Sequence, residues 1–342
     1  MIPTPTSADD LDQLISEPSA AAVSAVAACD GRFAVLGAGG KMGLHLCLML
    51  QRALRQLGRT EPVTAVSRFG SSAVRDRFTA LGLDVLSADL SDEEAIRRLP
   101  PFENVFFLAG VKFGTSDRPE LLHQMNVQMP QIVAARFQSS RIVALSTGCV
   151  YSFCTPESGG AKEDDETSPP GAYAQSCLGR EAAFIDAAEK FGTRSALIRL
   201  NYSIDLRYGV LVDIARCVMT GQPVHVDTGH VNVIWQGDAI AHTLQALPRV
   251  SAPPFIVNVT GAEILSVREI AAGFGRLFQK PVRIEGTEQP SAWLSNPAHA
   301  HRLFGSPTVS VDQMMYWIVE WLQRGGEILG KPTHFGVRDG SY

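Results

Sequence analysis

A short apolar run, Phe33–Leu36, leads directly into Gly37-Ala38-Gly39-Gly40-Lys41-Met42-Gly43, and an amphipathic stretch, Met42–Leu57, follows at once. Few folds accept a strand, a glycine turn and a helix in that order with no spacer. Glycines at 37, 40 and 43 permit a tight turn, close approach of a diphosphate and packing of the helix against the strand. The helix start adds N–H donors and the positive end of its dipole, so an anion is favoured there. Gly37, Gly39, Gly40, Lys41, Met42 and Gly43 are therefore the first candidates for holding a dinucleotide.

The rest of the chain repeats the alternation. Strands are expected at Phe33–Leu36, Val63–Val66, Asp84–Leu86, Val105–Leu108, Ile142–Leu145 and Ala196–Leu200. Helical patterns lie between them, at Ser72–Leu81, Asp92–Leu99, Pro119–Phe137 and Tyr173–Lys190. Near-continuous apolar strands separated by helices predict a parallel sheet covered on both faces, an α/β doubly wound (Rossmann) sheet. After Asn201 the pattern loosens into short strands and helices, among them Val231–Trp235, Phe255–Val259 and Ser266–Phe278. The expected organisation is an N-terminal helical appendage (1–31) whose helix is Ala20–Ala28, a dinucleotide-binding domain (32–202), and a smaller substrate lobe (203–342) interleaved with the end of the sheet.

Composition removes other classes. Thirty Lys+Arg against 35 Asp+Glu give a formal charge of −5, which provides no basic field for nucleic acid. No apolar run approaches the roughly 20 residues that span a bilayer, and the N-terminus has no basic and apolar signal pattern. Six cysteines without a CxxC pair fit a reducing compartment, so a cytoplasmic protein is expected, without a metal. Cys149, Cys154 and Cys177 lack paired histidines at ligand spacing. His299 and His301 are expected at the surface, and the acidic run Glu163–Glu166 in a solvated loop.

The second strand ends in Ser67-Arg68, where an NAD site places a carboxylate for the ribose hydroxyl. Arg68, with Lys41, would attract a 2′-phosphate, so NADP is preferred slightly over NAD. Asp89, beside Leu90 at the end of the third strand, is placed to accept from an adenine amino group.

In order along the chain, Gly37-x-x-Gly40-x-x-Gly43, Phe107-Leu108-Ala109-Gly110, Asn126-Val127, Ser146-Thr147-x-x-Val150-Tyr151 and Tyr173 resemble the extended short-chain dehydrogenase/reductases, the NAD-dependent epimerase/dehydratase family. Asp238 and Asn258-Val259-Thr260-Gly261 are similar to the family's later landmarks, and the likeness spans about residues 32–325. The resemblance implies a cofactor site that also takes in Leu108, Ala109, Gly110, Lys112, Asn126 and Tyr173. It implies that Thr147 orients a substrate hydroxyl and that Tyr173 is the general acid/base. It further implies a homodimer through Pro119–Phe137 and Tyr173–Lys190. The family has a Lys one helical turn after the Tyr, to lower its pKa and hold the nicotinamide ribose; here that residue is Cys177.

Three readings of this departure stay open. Another cation substitutes, Lys112 before Arg180; or Tyr173 works as a neutral acid; or the chain binds a dinucleotide without turnover. Substrate contacts are expected from Thr147, Cys149, Asn201, Tyr202, Arg207, Tyr208, His230, Asn232 and Trp235, a set suited to a sugar or sugar acid. The function expected is hydride exchange at a sugar hydroxyl or carbonyl, as an NAD(P)-dependent oxidoreductase or epimerase. A non-catalytic NAD(P)-binding or sensing protein is the alternative.

Overall fold

The computed structural model describes residues 3–114, 118–331 and 333–338. Seven strands form one parallel sheet: β1 (Phe33–Leu36), β2 (Thr64–Ser67), β3 (Asp84–Ser87), β4 (Asn104–Phe107), β5 (Arg141–Thr147), β6 (Arg194–Leu200) and β7 (Phe255–Val259). Their spatial order is β3-β2-β1-β4-β5-β6-β7, and every neighbouring pair is parallel. Strand order therefore reverses between β1 and β4, and the loops leaving these two strands part to open a crevice at the carboxyl edge.

Side chains alternate between two apolar layers. Phe33 and Val35 of β1 join one core cluster while Ala34 and Leu36 join the other. Phe106 of β4 and Val143 of β5 face the first; Val105, Phe107, Ile142 and Ala144 face the second. Burial on both sides is why these strands read as unbroken apolar runs. Helix α3 (Gly43–Gln56) covers the first face, and α7 (Met129–Arg136) with α8 (Ala172–Phe191) the second.

Several expectations change. The sheet has a seventh strand because β7, expected after the sheet ends, pairs in register with β6 from Phe255–Ala196 to Val259–Leu200. The strand expected at Val231–Trp235 is two fragments, His230–Val231 and Ile234–Trp235, which pair with different partners. The helix expected at Pro119–Phe137 contains a π turn, Gln124–Gln128, between α6 (Pro119–His123) and α7. That extra residue per turn inserts Asn126 into the protein, where it is fully buried. The N-terminal appendage holds two helices: α1 (Ala8–Ile15), which starts in a capping box between Ser7 and Asp10, precedes α2 (Ala20–Ala27).

The second lobe carries α9 (Val210–Thr220), α10 (Gln236–Gln245), α11 (Val267–Phe278), α12 (Ala298–Phe304) and α13 (Val311–Gln323). Among the described residues no helix is long and apolar enough to cross a membrane. Helices α1 and α2 pack on α10, and α2 also packs on α3, so the N-terminal helices tie α10 to the helix after β1.

A buried ion cluster fixes that junction. Asp12 Oδ1 lies 2.8 Å from His45 Nε2 and 2.9 Å from a guanidinium nitrogen of Arg207, which also pairs with Asp205 at 2.8 Å. Burial pushes the Asp12 carboxyl up, but His45 and Arg207 outweigh it and hold the pKa at about 2. A folded pKa below the unfolded value contributes stability above about pH 4, and that stability is lost as pH falls toward 2. Asp12→Ala leaves two buried basic groups short of their partner and should cost about 3 kcal/mol at neutral pH. Urea unfolding at pH 7 and pH 3 checks this: the deficit should shrink at the lower pH, and an equal deficit at both would assign it to packing alone.

Candidate active site

The turn after β1 is built so that only glycine fits at its closest approaches. Gly37 has φ +88°, and a Cβ there would lie 2.7 Å from the Ala109 backbone nitrogen. A Cβ on Gly39 would lie 2.6 Å from Ser67 Oγ, and one on Gly43 would meet the Ala38 carbonyl. The Gly37 and Ala38 N–H groups donate to the Val66 carbonyl at 2.9 and 3.1 Å, tying the turn to β2.

Over this turn lies a cavity of about 500 Å³, lined by Gly37, Gly39, Gly40, Ser67, Arg68, Asp89, Leu90, Leu108, Ala109 and Gly110, with Met125 and Met129 from the helix beyond. A second cavity of about 220 Å³ continues past the turn, lined by Lys41, Met42, Lys112, Leu200, Tyr202 and Tyr208. A backbone-lined cradle flanked by cationic side chains suits the shape and charge of a dinucleotide. Lys41 Nζ sits over the Tyr208 ring, and burial draws its pKa down to about 7.

Arg68 is not alone. Its guanidinium lies 3.7 Å from the Asp89 carboxylate, which is itself held by the Ser91 N–H and hydroxyl. Sequence inspection sees no acid at the end of β2; pairing of β2 with β3 brings one there.

Asn126 clamps the loop after β4. Its Oδ1 accepts from Val111 N–H at 3.0 Å and from Arg180 at 2.8 Å, while Nδ2 donates to the Val111 carbonyl and to Ser176 Oγ. Arg180 also donates to the Leu145 carbonyl, so it is a scaffold cation beneath the loop. It occupies the space a Cβ on Gly110 would need.

The carboxyl ends of β5 and the start of α8 assemble the remaining residues. Thr147 Oγ1 accepts from Cys149 N–H at 3.2 Å. Gly171, at φ +83°, turns the chain into α8, and Tyr173 is its second residue. Tyr173 and Cys177 stand one turn apart on α8, side by side on one face. Burial, then Cys177 and Cys149, raise the Tyr173 phenol well above its ordinary pKa; Arg180 opposes them. Burial also raises the Cys177 thiol and lowers the Lys112 ammonium. Lys112 Nζ is 5.4 Å from the Tyr173 ring centre, the one cation drawn over this ring among the described residues.

The lobe-side candidates divide. Tyr202 (φ +36°) lines the second cavity. Asn201 donates to the Trp293 carbonyl at 3.1 Å, and Asn232 is fully buried between Glu263 and Ser295 backbone groups. Arg207 is spent in the buried cluster with Asp12 and Asp205, His230 is paired in register with Ser266, and Trp235 is buried against Trp317. The side chains of Asn201, Asn232, Arg207 and Trp235 are structural partners in place of the pocket lining expected of them, because each is buried against a polar or aromatic partner of its own.

Other residues were not foreseen. Trp293 packs with Cys149 and Ala174, and its ring centre lies 4.5 Å from that of Phe153. Glu163, expected in a solvated run, accepts from Asn258 N–H at 2.8 Å and from Arg199 through its carbonyl. His301 reaches the Thr260 carbonyl at 3.2 Å. Arg199, Glu181, Ser146, Tyr151 and Asn258 form one buried chain of hydrogen bonds under the site. Ser146, Tyr151 and Asn258 stand in motifs of the resemblance, but their partners do not follow from it, because the contacts join segments up to about 140 positions apart. Among the described residues no group of three His, Cys, Asp or Glu is placed to hold a metal ion.

A parallel sheet with a glycine turn at its switch point and a Tyr-bearing helix after β5 defines a Rossmann-type α/β protein carrying a second lobe. The chain belongs to the NAD dependent epimerase/dehydratase family, whose sequence profile matches residues 33–203. No curated protein matches it by sequence. Solved structures with the same fold include Pal from Bacillus thuringiensis (16% identical, TM-score 0.71, 85% of this chain and 99% of that one). UDP-glucuronic acid 4-epimerase from Bacillus cereus, in complex with NAD, is 18% identical with TM-score 0.71, covering 86% and 99%. UDP-glucose 4-epimerase from Thermus thermophilus, in complex with NAD, is 18% identical with TM-score 0.68, covering 85% and 99%.

Proposed function

We propose that this chain is an NAD(P)-dependent epimerase or oxidoreductase acting on a hydroxyl or carbonyl of a sugar or sugar acid. The observation that supports the reading is Lys112, which lines the cavity past the glycine turn and lies over the Tyr173 ring at the start of α8. A bound nicotinamide dinucleotide supplies the hydride acceptor and donor. Gly37, Gly39 and Gly40 would hold its diphosphate, Ser67, Arg68 and Asp89 its adenosine half. Thr147 holds the substrate oxygen, and Tyr173 removes its proton on oxidation and returns one on reduction. Lys112 takes the electrostatic part of the missing lysine by stabilising the phenolate. We read the chain as a homodimer through α6–α8.

Incubation with NAD(H) or NADP(H) and a panel of sugars, sugar acids and UDP-sugars, read by reduced-nicotinamide absorbance and product NMR, tests the proposal. Turnover supports it. Tight dinucleotide binding without turnover across the panel selects the second reading, a binding or sensing protein, which the Cys177 side chain and the raised Tyr173 phenol favour.

Arg68 and Asp89 together set the choice of dinucleotide. The carboxylate offsets part of the attraction that Arg68 offers a 2′-phosphate, so NAD and NADP should bind with similar affinity. Asp89→Asn should raise the NADPH:NADH affinity ratio about fivefold, and Arg68→Ala should lower it by about as much, because this exposed pair is screened. Fluorescence titration measures both; a ratio unmoved by either change removes the pair from the site.

A further inference from the structure

We propose that the described residues following α13, 324–331 and 333–338, form a strap over the Lys41–Lys112 end of the groove, and that Thr333 is a positioning residue there. The inference rests on the reading that the groove takes a dinucleotide. After α13 the chain folds back, with Gly326 N–H on the Trp321 carbonyl and Trp321 Nε1 on the Glu327 carbonyl, both at 2.8 Å. Leu329 N–H then donates to the Arg207 carbonyl at 3.0 Å. Thr333 follows, and both its N–H (2.8 Å) and its hydroxyl (2.7 Å) donate to the same Asp213 carboxylate oxygen, at the start of α9. Beyond it the Phe335 carbonyl accepts from Thr228, and Arg338 donates to the Ser291 carbonyl at 2.6 Å while lying over Phe153.

Thr333 is 5% exposed and forms part of the wall of the 220 Å³ cavity, together with Lys41, Lys112 and Tyr202. Next to Thr333, the His334 ring centre lies 5.6 Å from that of Phe113, the neighbour of Lys112 on the loop after β4. On the lobe side stand backbone hydrogen bonds and a doubly bonded carboxylate, which as a charged acceptor makes stronger bonds than a neutral one. On the sheet side, among the described residues, stands the Phe113–His334 ring contact. Its anchors on Asp213, Arg207 and Thr228 hold the strap to the lobe, and a ligand seated at this end is released when the strap lifts from the cavity.

The test is stopped-flow association and release of NADH and NADPH, with the intact chain, Thr333→Val, Thr333→Ser and a chain ended after Gly330. Thr333→Val and the shortened chain should release the dinucleotide about tenfold faster and bind it about threefold faster, because a wall residue and its anchor are lost. Thr333→Ser keeps the hydroxyl and should match the intact chain. Release and association rates within about twofold of the intact chain in both Thr333→Val and the shortened chain overturn the strap. Should the shortened chain not fold, the Val and Ser pair decides alone: equal rates for the two reject the proposal. Absence of binding by the intact chain rejects the dinucleotide reading and the strap with it, whereas binding with unmoved rates rejects the strap only.

Discussion

Tyr173→Phe should lower kcat by about 10²–10⁴-fold, a loss of ~3–5 kcal/mol in the barrier, while dinucleotide affinity stays within about threefold. The substitution removes one oxygen and keeps the ring, which is half-buried at the start of α8 against Val150, Tyr151 and Cys177. Stability should therefore barely change. The size of the effect follows from the geometry: Tyr173 stands one turn before Cys177 and beside Lys112, and among the described residues no His lines the two cavities at this edge of the sheet. Steady-state turnover on whichever substrate the panel yields, with a parallel fluorescence titration, separates chemistry from binding. If the variant retains more than about a tenth of native kcat, Tyr173 is not the proton-transfer group.

Lys112→Met should raise the pH midpoint of kcat/KM by about one unit and reduce the rate near neutrality about tenfold. The sign is set by what the phenol faces. Burial with two thiols raises its pKa, and a cation is what would bring the phenolate within reach of neutral pH. The ammonium 5.4 Å from the ring centre is positioned to do so, although burial lowers its own pKa and limits the range over which it stays charged. Lys112→Arg keeps the charge and should keep the midpoint. A phosphate contact predicts something else: dinucleotide affinity would fall in Lys112→Met with the pH profile unmoved, and that outcome would remove Lys112 from the proton chemistry. Cys177→Lys is the complementary change. It places the ammonium one turn after Tyr173 and should make turnover insensitive to Lys112→Met.

Much of the framework was legible because its signals are local. Phe33–Leu36, the glycine turn and the start of α3 occupy consecutive residues, and each glycine is required by a backbone neighbour that any fold of this type would supply. The strands were readable to within a few residues because burial on both faces makes them uniformly apolar. The lobe was less so. Strands of two residues have no period to detect, and β7 is a sheet strand only because the chain returns past α10 to lie beside β6.

Polar residues separate the two kinds of knowledge most clearly. An Arg, Asn or His looks the same in sequence whether it faces a substrate or a buried carboxylate. Arg207 was a reasonable substrate contact until Asp12, almost two hundred positions earlier, was found against it. Arg68 looked uncompensated until β3 set Asp89 beside it. The sequence by itself determined the doubly wound sheet, its glycine-lined switch point and the replacement of the helix lysine by Cys177. These follow from short-range periodicity, steric need and residue identity. Only the tertiary structure decided which charges are already neutralised and that Lys112 stands over Tyr173. It alone brought Thr333, at the far end of the chain, to the wall beside Lys41, because electrostatics acts over a few ångströms and chain separation carries no record of that distance.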